Sequence, residues 1–207
     1  VTFSDNRAVH WGGGMSNLGF SSISRPTLVN VIFSGNQADV GGGMFNHAVL
    51  EGGASSPVLT NATFSGNQAD QGGGMYNHGL YGGTSSPALA NVILWGNEAV
   101  TGTQIYNNDA ATPSVGYSLV EGGIGGAGIY NTNGGSVTDD GGNLDADPRF
   151  VAPPDPGGDG TWGTSDDDYG DLRLSCRSPA IDAGNSLSVT TGTDLAGNPR
   201  IMGAAVD

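Results

Sequence analysis

The sequence predicts an all-β fold, a parallel β-helix or solenoid with coils of about 30 residues. Three observations predict it: a motif that returns at a fixed interval, short strand-like runs inside every interval, and a composition dominated by turn formers. The motif is Phe3-Ser-Asp-Asn6, Phe33-Ser-Gly-Asn36, Phe64-Ser-Gly-Asn67 and Leu94-Trp-Gly-Asn97, with starts 30, 31 and 30 residues apart. A fixed period of this size marks a stacked repeat.

Each copy continues in the same order. A glycine turn runs into an apolar residue at Gly12-Gly-Gly-Met15, Gly41-Gly-Gly-Met44, Gly72-Gly-Gly-Met75 and Gly102-Thr-Gln-Ile105. An asparagine follows at Asn17, Asn46, Asn77 and Asn107, and a proline opens the next coil at Pro26, Pro57, Pro87 and Pro113. A degraded fifth copy runs through Gly126-Ala-Gly-Ile-Tyr-Asn131. Runs such as Leu28-Val-Asn-Val-Ile-Phe33 roughly alternate apolar and polar residues, as a strand with one buried face does. Glycine and Ser-Ser-Pro clusters separate them, and no stretch keeps a helical period. A propeller blade needs roughly 40–45 residues, more than the repeat supplies.

Stacking then places like on like about 4.8 Å apart. Phe3, Phe33 and Phe64 form one core column, and Met15, Met44 and Met75 a second. Asn36, Asn67 and Asn97 form an amide ladder. Asn46, Asn77 and Asn107 are in position for another, and Asn30, Asn61 and Asn91 for a third. Residues 1–135 are read as these coils. Residues 136–207 are read as further coils, with an acidic loop inserted at 153–171.

Charge narrows the function. Twenty acidic residues stand against six basic ones, all arginine, for a net charge of −14. Such a chain repels phosphate backbones and anionic lipid, so neither nucleic acid nor membrane insertion is expected. No apolar run is long enough to span a bilayer. Cys176, the one cysteine, allows no intrachain disulfide. Val1 opens in the middle of a repeat, as an excised or processed chain would.

The motifs resemble known families. Phe64–Asn67 with Gly73–Met75, and their counterparts, resemble the repeats of polymorphic outer-membrane proteins. Gly142-Asn-Leu-Asp-Ala-Asp-Pro-Arg-Phe150, Asp171-Leu-Arg-Leu174, Ser178-Pro-Ala-Ile-Asp-Ala-Gly184 and Thr193-Asp-Leu-Ala-Gly-Asn-Pro-Arg200 resemble the choice-of-anchor Q β-helix proteins. The resemblance implies a right-handed parallel β-helix of the pectate-lyase type, bacterial, exported and often anchored at the cell surface, with no defined reaction. Such proteins commonly continue beyond the position of Asp207 into an anchor.

Five motifs invite a chemical reading. Asp155, Asp159, Asp166, Asp167 and Asp168 crowd one loop. Counting Asp155 as position 1 of an EF-hand-like loop puts Asp159 at 5, Gly160 at 6 and Asp166 at 12, with a ligand missing at Gly157. Calcium is therefore the candidate cofactor, against a plain solvated acidic loop. His47 and His78 should stack as neighbours in adjacent coils, without a third ligand. Asp39 and Asp70 form a carboxylate pair of the kind hydrolases use, but the chain has no lysine, and Arg7 and Arg25 both sit in the first coil. Gly123-Ile-Gly-Gly-Ala-Gly128 matches a dinucleotide fingerprint but lacks the helix that must follow it. The sequon at Asn61-Ala-Thr63 lies inside a ladder, so glycosylation is not expected.

These readings favour a non-catalytic extracellular solenoid, not an enzyme: a subunit of a surface fibre stacking head to tail with copies of itself, or a stalk. The alternative is a carbohydrate-active β-helix that binds or cleaves a surface polysaccharide.

Overall fold

The computed structural model describes residues 1–201 and 203–206. The chain is an all-β solenoid of about four turns, almost without helix; one 3-10 turn spans Ser186–Ser188. Its largest sheet carries Thr2–Ser4, Thr27–Ser34, Val58–Ser65 and Ala88–Trp95, then Ser114–Gly116 and Thr138–Gly141, all parallel. Leu119–Val120 also pairs with Ala88–Trp95. A second parallel sheet stacks Met15–Phe20, Met44–Val49, Met75–Leu80, Ile105–Asp109 and Ile129–Thr132. A narrow third face pairs Gln68–Gln71 with Glu98–Thr101, extended by the bridges Arg7–Gln37 and Gln37–Gln68.

The coil length follows from the register. Phe3 pairs with Phe33, Phe33 with Phe64 and Phe64 with Leu94, while Met15, Met44, Met75, Ile105 and Ile129 pair in turn. Phe33, Phe64, Met44, Met75, Leu94 and Ile105 are fully buried. Phe33 and Phe64 stack with ring centroids 4.5 Å apart and planes 9° from parallel. Phe3 and Met15, at the end of the column, are only partly buried.

The long strands are not straight. Asn30, Asn61 and Asn91 sit at φ 55°, 54° and 56°, and the ladder skips them, pairing Val29 with Thr60 and then Val31 with Ala62. A left-handed residue bends a strand, and asparagine tolerates that conformation better than most residues. Each long strand thus turns a corner at its asparagine.

The triple-glycine turn has a separate reason at each position. Gly41 adopts φ 68°. A Cβ on Gly42 would meet the Gly73 carbonyl of the next coil at 2.7 Å, and one on Gly43 would meet the Phe64 ring at 2.8 Å. The first glycine makes the corner, the second admits the neighbouring backbone and the third admits the core ring.

Two amide ladders run through the core in one direction. Asn6 donates to Asn36, Asn36 to Asn67 and Asn67 to Asn97, each at 2.8 Å. Asn97 donates to Gln104 at 2.6 Å, and Gln104 to the Glu121 carboxylate at 2.7 Å. The second ladder passes from Asn17 through Asn46, Asn77 and Asn107 to Asn131. Every member from Asn36 to Gln104, and from Asn17 to Asn107, is buried. The bend asparagines run the other way, Asn91 donating to Asn61 and Asn61 to Asn30.

The C-terminal segment differs from the expectation of further coils. Parallel pairing ends at Thr138–Gly141 and the bridge from Leu119 to Leu144. Phe150–Ala152 then pairs antiparallel with Asp171–Leu174, making a hairpin whose tip is the acidic loop. From there the chain folds back along the outer wall of the solenoid. Asn185 exchanges hydrogen bonds with Asn91, and Asn30 donates to Thr191 and to the Thr193 carbonyl. Arg200 also reaches Asn30. The hairpin is seated by the glycine of the Phe-Ser-Gly-Asn motif. A Cβ on Gly35 (φ 62°) would strike the Tyr169 ring at 2.6 Å, and one on Gly66 would meet Pro154 at 2.8 Å and Trp162 at 3.0 Å. Trp162, 4% exposed, lies across this glycine column. Among the described residues no helix is long and apolar enough to cross a membrane.

Candidate functional site

Three regions concentrate polar chemistry, and each sits where the coil register puts it. The first is the acidic loop. Asp155 and Asp168 face each other in the hairpin, exchanging backbone bonds of 2.7 and 2.8 Å. Every carboxylate of the loop is engaged by a nearby donor. Asp155 accepts from the Gly157 N–H, Asp159 from Thr161 and Asp168 from Gly170. Asp166 accepts from the Gly158 N–H and the Thr164 hydroxyl. Asp167 accepts from the N–H groups of Gly163 and Thr164 and from the Tyr169 hydroxyl.

The Thr164 hydroxyl and the Gly158 amide hold the Asp166 carboxyl below its ordinary range. For Asp167 desolvation pushes upward, but the Thr164 and Gly163 amides with the Tyr169 hydroxyl outweigh it, so its pKa is also lowered. The donors are of the type calcium prefers. Their arrangement is different: among the described residues no three acidic, imidazole or thiol groups converge on a point that would hold a metal ion. Each of the five acids accepts from at least one main-chain N–H.

The second region is a groove of about 780 Å³ on the narrow third face, lined by Arg7, Gln37, Asp39, Gln68, Asp70 and Glu98. Gln37 donates to Gln68 at 2.9 Å, and Gln68 to Glu98 at 3.3 Å. Asp39 and Asp70 lie one coil apart, both exposed, with a backbone bond of 2.9 Å from Asp70 N–H to the Asp39 carbonyl. His10 approaches Asp39 at 3.1 Å in full view of solvent.

The third is the outer surface of the second sheet. Met44, Asn46 and Ala48 face the core, while Phe45, His47 and Val49 take the other face, where Phe45, Tyr76 and Tyr106 form a second, separate buried cluster. The outward rings stack coil on coil: Trp11 on Phe45, Phe45 on Tyr76, Tyr76 on Tyr106, with centroids 5.8, 5.6 and 4.8 Å apart. Beside them His47 lies on His78 at 4.8 Å, nearly parallel.

Sequence reasoning missed a cleft of about 770 Å³ between the solenoid wall and the returning C-terminal segment. Ile32, Thr63 and Ile93 floor it, and Leu172, Ile181 and Leu195 roof it. Asp171, held down to about 2 by the Arg173 guanidinium, stands at its rim. The segment Gly123–Gly128 forms consecutive turns rather than the start of a helix. Asn61 of the sequon is buried in the bend.

No family model, no curated protein and no solved structure matches this chain, so the family resemblance rests on the motifs that carry it.

Proposed function

We propose that the chain is a non-catalytic extracellular solenoid, a rigid element of a surface stalk or fibre, of the polymorphic outer-membrane-protein or choice-of-anchor Q type. The observation that carries the reading is where the repeated polar residues go. Asn36, Asn67, Asn97, Asn46, Asn77 and Asn107 are buried and spent on bonds between coils. The repetition serves cohesion along the axis. The extracellular placement follows the resemblance.

Head-to-tail self-association is part of the same proposal. Thr2–Ser4 and Met15–Phe20 form one edge of the two sheets, and Thr138–Gly141 forms the opposite edge of the larger one. That far edge exposes Asp139 and Asp140. Charged edge strands resist pairing, so stacking needs those acids neutralised by cations or protons.

A carbohydrate-cleaving reading is favoured by one observation, the groove of amide and carboxylate groups around Asp39 and Asp70. One assay separates the two. The chain is expected to release no reducing or unsaturated sugar from pectate or alginate, because its net charge of −14 repels polyuronates. Product that disappears in Asp39→Ala or Asp70→Ala would replace the structural reading with an enzymatic one.

A further inference from the structure

The outward column Leu18, His47, His78, Asn108 brings two imidazoles into face-to-face contact on adjacent coils. Their centroids are 4.8 Å apart and their planes 3° from parallel, and the pairing of Met44–Val49 with Met75–Leu80 holds the two residues in register. The two histidines are not equivalent. His78 directs Nε2 at the Asp109 carboxylate, 2.6 Å away. His47 has no such partner: its Nε2 is buried and makes no hydrogen bond. The rings of Phe45 and Phe20 approach His47 edge-on at 5.5 and 6.0 Å.

We propose that the His47–His78 pair is an acid-sensitive latch, holding the second and third coils together while His47 is neutral and driving them apart when acid charges His47.

An imidazolium carries a proton on both nitrogens. The charged form of His47 therefore buries an Nε2–H that has no acceptor, beside a second cation one strand spacing away. Among the described residues, the groups that face the pair come from four strands. The strand Met15–Phe20 brings only Leu18 and Phe20. Met44–Val49 adds Phe45. Met75–Leu80 brings Tyr76, whose ring stands edge-on to His78 at 6.1 Å. Ile105–Asp109 brings Tyr106, Asn108 and Asp109. The one anion among them, Asp109, is taken by His78. Asn108 is bonded to the Tyr76 hydroxyl at 3.4 Å, and burial raises the Tyr76 phenol, so it is neutral throughout the acid range.

Burial lowers the pKa of His47, and the charge on His78 lowers it further. A base whose folded pKa lies below its unfolded value leaves the folded state with fewer protons. Its contribution is complete above the ordinary histidine value of about 6.5 and is lost as pH falls below it. The carboxylates with lowered pKa act in a different window, below about pH 4, so the two effects separate on the pH axis.

The test compares melting temperatures at about pH 7.5 and about pH 5 for the unaltered chain, His47→Phe and His10→Gln. Phenylalanine keeps the stacked ring and removes the charge. The unaltered chain and His10→Gln are expected to lose several degrees on acidification, and His47→Phe to lose little. Proton NMR of the unaltered chain reads the same device without a variant, with the His47 ring titrating below about 6.5. The proposal is overturned if His47→Phe retains the full acid-induced drop, if His10→Gln abolishes it, or if the His47 ring titrates at or above the ordinary value.

Discussion

Replacing Asn67 by alanine removes the middle rung of the longest ladder, and the structure allows its cost to be worked out. The Asn67 side-chain oxygen accepts from both the main-chain N–H and the amide of Asn36, at 3.2 and 2.8 Å. Its amide donates to the Asn97 oxygen at 2.8 Å and to the Phe33 carbonyl at 2.9 Å. In the alanine variant Asn97 keeps an N–H donor, from the main chain of residue 67, and the Asn36 amide keeps Phe3. Two buried donors at Asn36 are left without acceptors, its main-chain N–H and one amide hydrogen. At about 1–3 kcal/mol for each orphaned buried group, the loss is about 2–6 kcal/mol. For a chain of this size each kcal/mol moves Tm by roughly 2–4 °C, so the midpoint should fall by on the order of 10 °C. Asn67→Asp should be worse at neutral pH, because it turns a bare oxygen toward the Asn97 oxygen and the Phe33 carbonyl and buries a charge. The assay is thermal unfolding followed by far-ultraviolet circular dichroism. An alanine variant within about 1 kcal/mol of the parent, or an aspartate variant as stable as the parent, would refute the claim that the ladder holds the coils together.

Trp162→Ala should release the hairpin without unfolding the coils: protease cleavage between Pro153 and Gly170 should become faster, while the far-ultraviolet spectrum keeps its β character. Unchanged cleavage would show that the glycine column does not seat the loop. For the acidic loop the proposal is that calcium displaces amide hydrogens from some of Asp155, Asp159, Asp166, Asp167 and Asp168. Calcium at ten times its dissociation constant should then stabilise the chain by about 1.4 kcal/mol. Identical melting in calcium and in EDTA would leave the loop held by its own amides alone.

The coils were legible because they repeat. Spacings of 30 and 31 residues place Phe33 on Phe64 and Asn36 on Asn67, and a parallel register with a shared core admits little else. The bend at Asn30, Asn61 and Asn91 was half visible: the period marks the column, but nothing in the period distinguishes a stacking asparagine from one adopting positive φ. The return of the C-terminal segment was not legible. Residues 136–207 read as further coils, and a strand expected from sequence does not say whether its partner is parallel or antiparallel. The glycine of Phe-Ser-Gly-Asn reads as a turn residue, which it is, while its second service as the seat of Tyr169 and Trp162 depends on residues more than 90 positions away.

A solenoid of interchangeable coils has no intrinsic length. One coil could be duplicated or excised between equivalent rungs, and every column would close again. The returning segment removes that freedom. It joins Asn91 through Asn185 and Asn30 through Thr191 and Thr193, and it bears on Gly35 and Gly66 through Tyr169, Trp162 and Pro154. A strap fastened to the second, third and fourth coils at once acts as a ruler. An added coil would pull its fastenings out of step, and a missing one would leave them slack. In this chain the repeat supplies the wall, and the segment that does not repeat counts the courses.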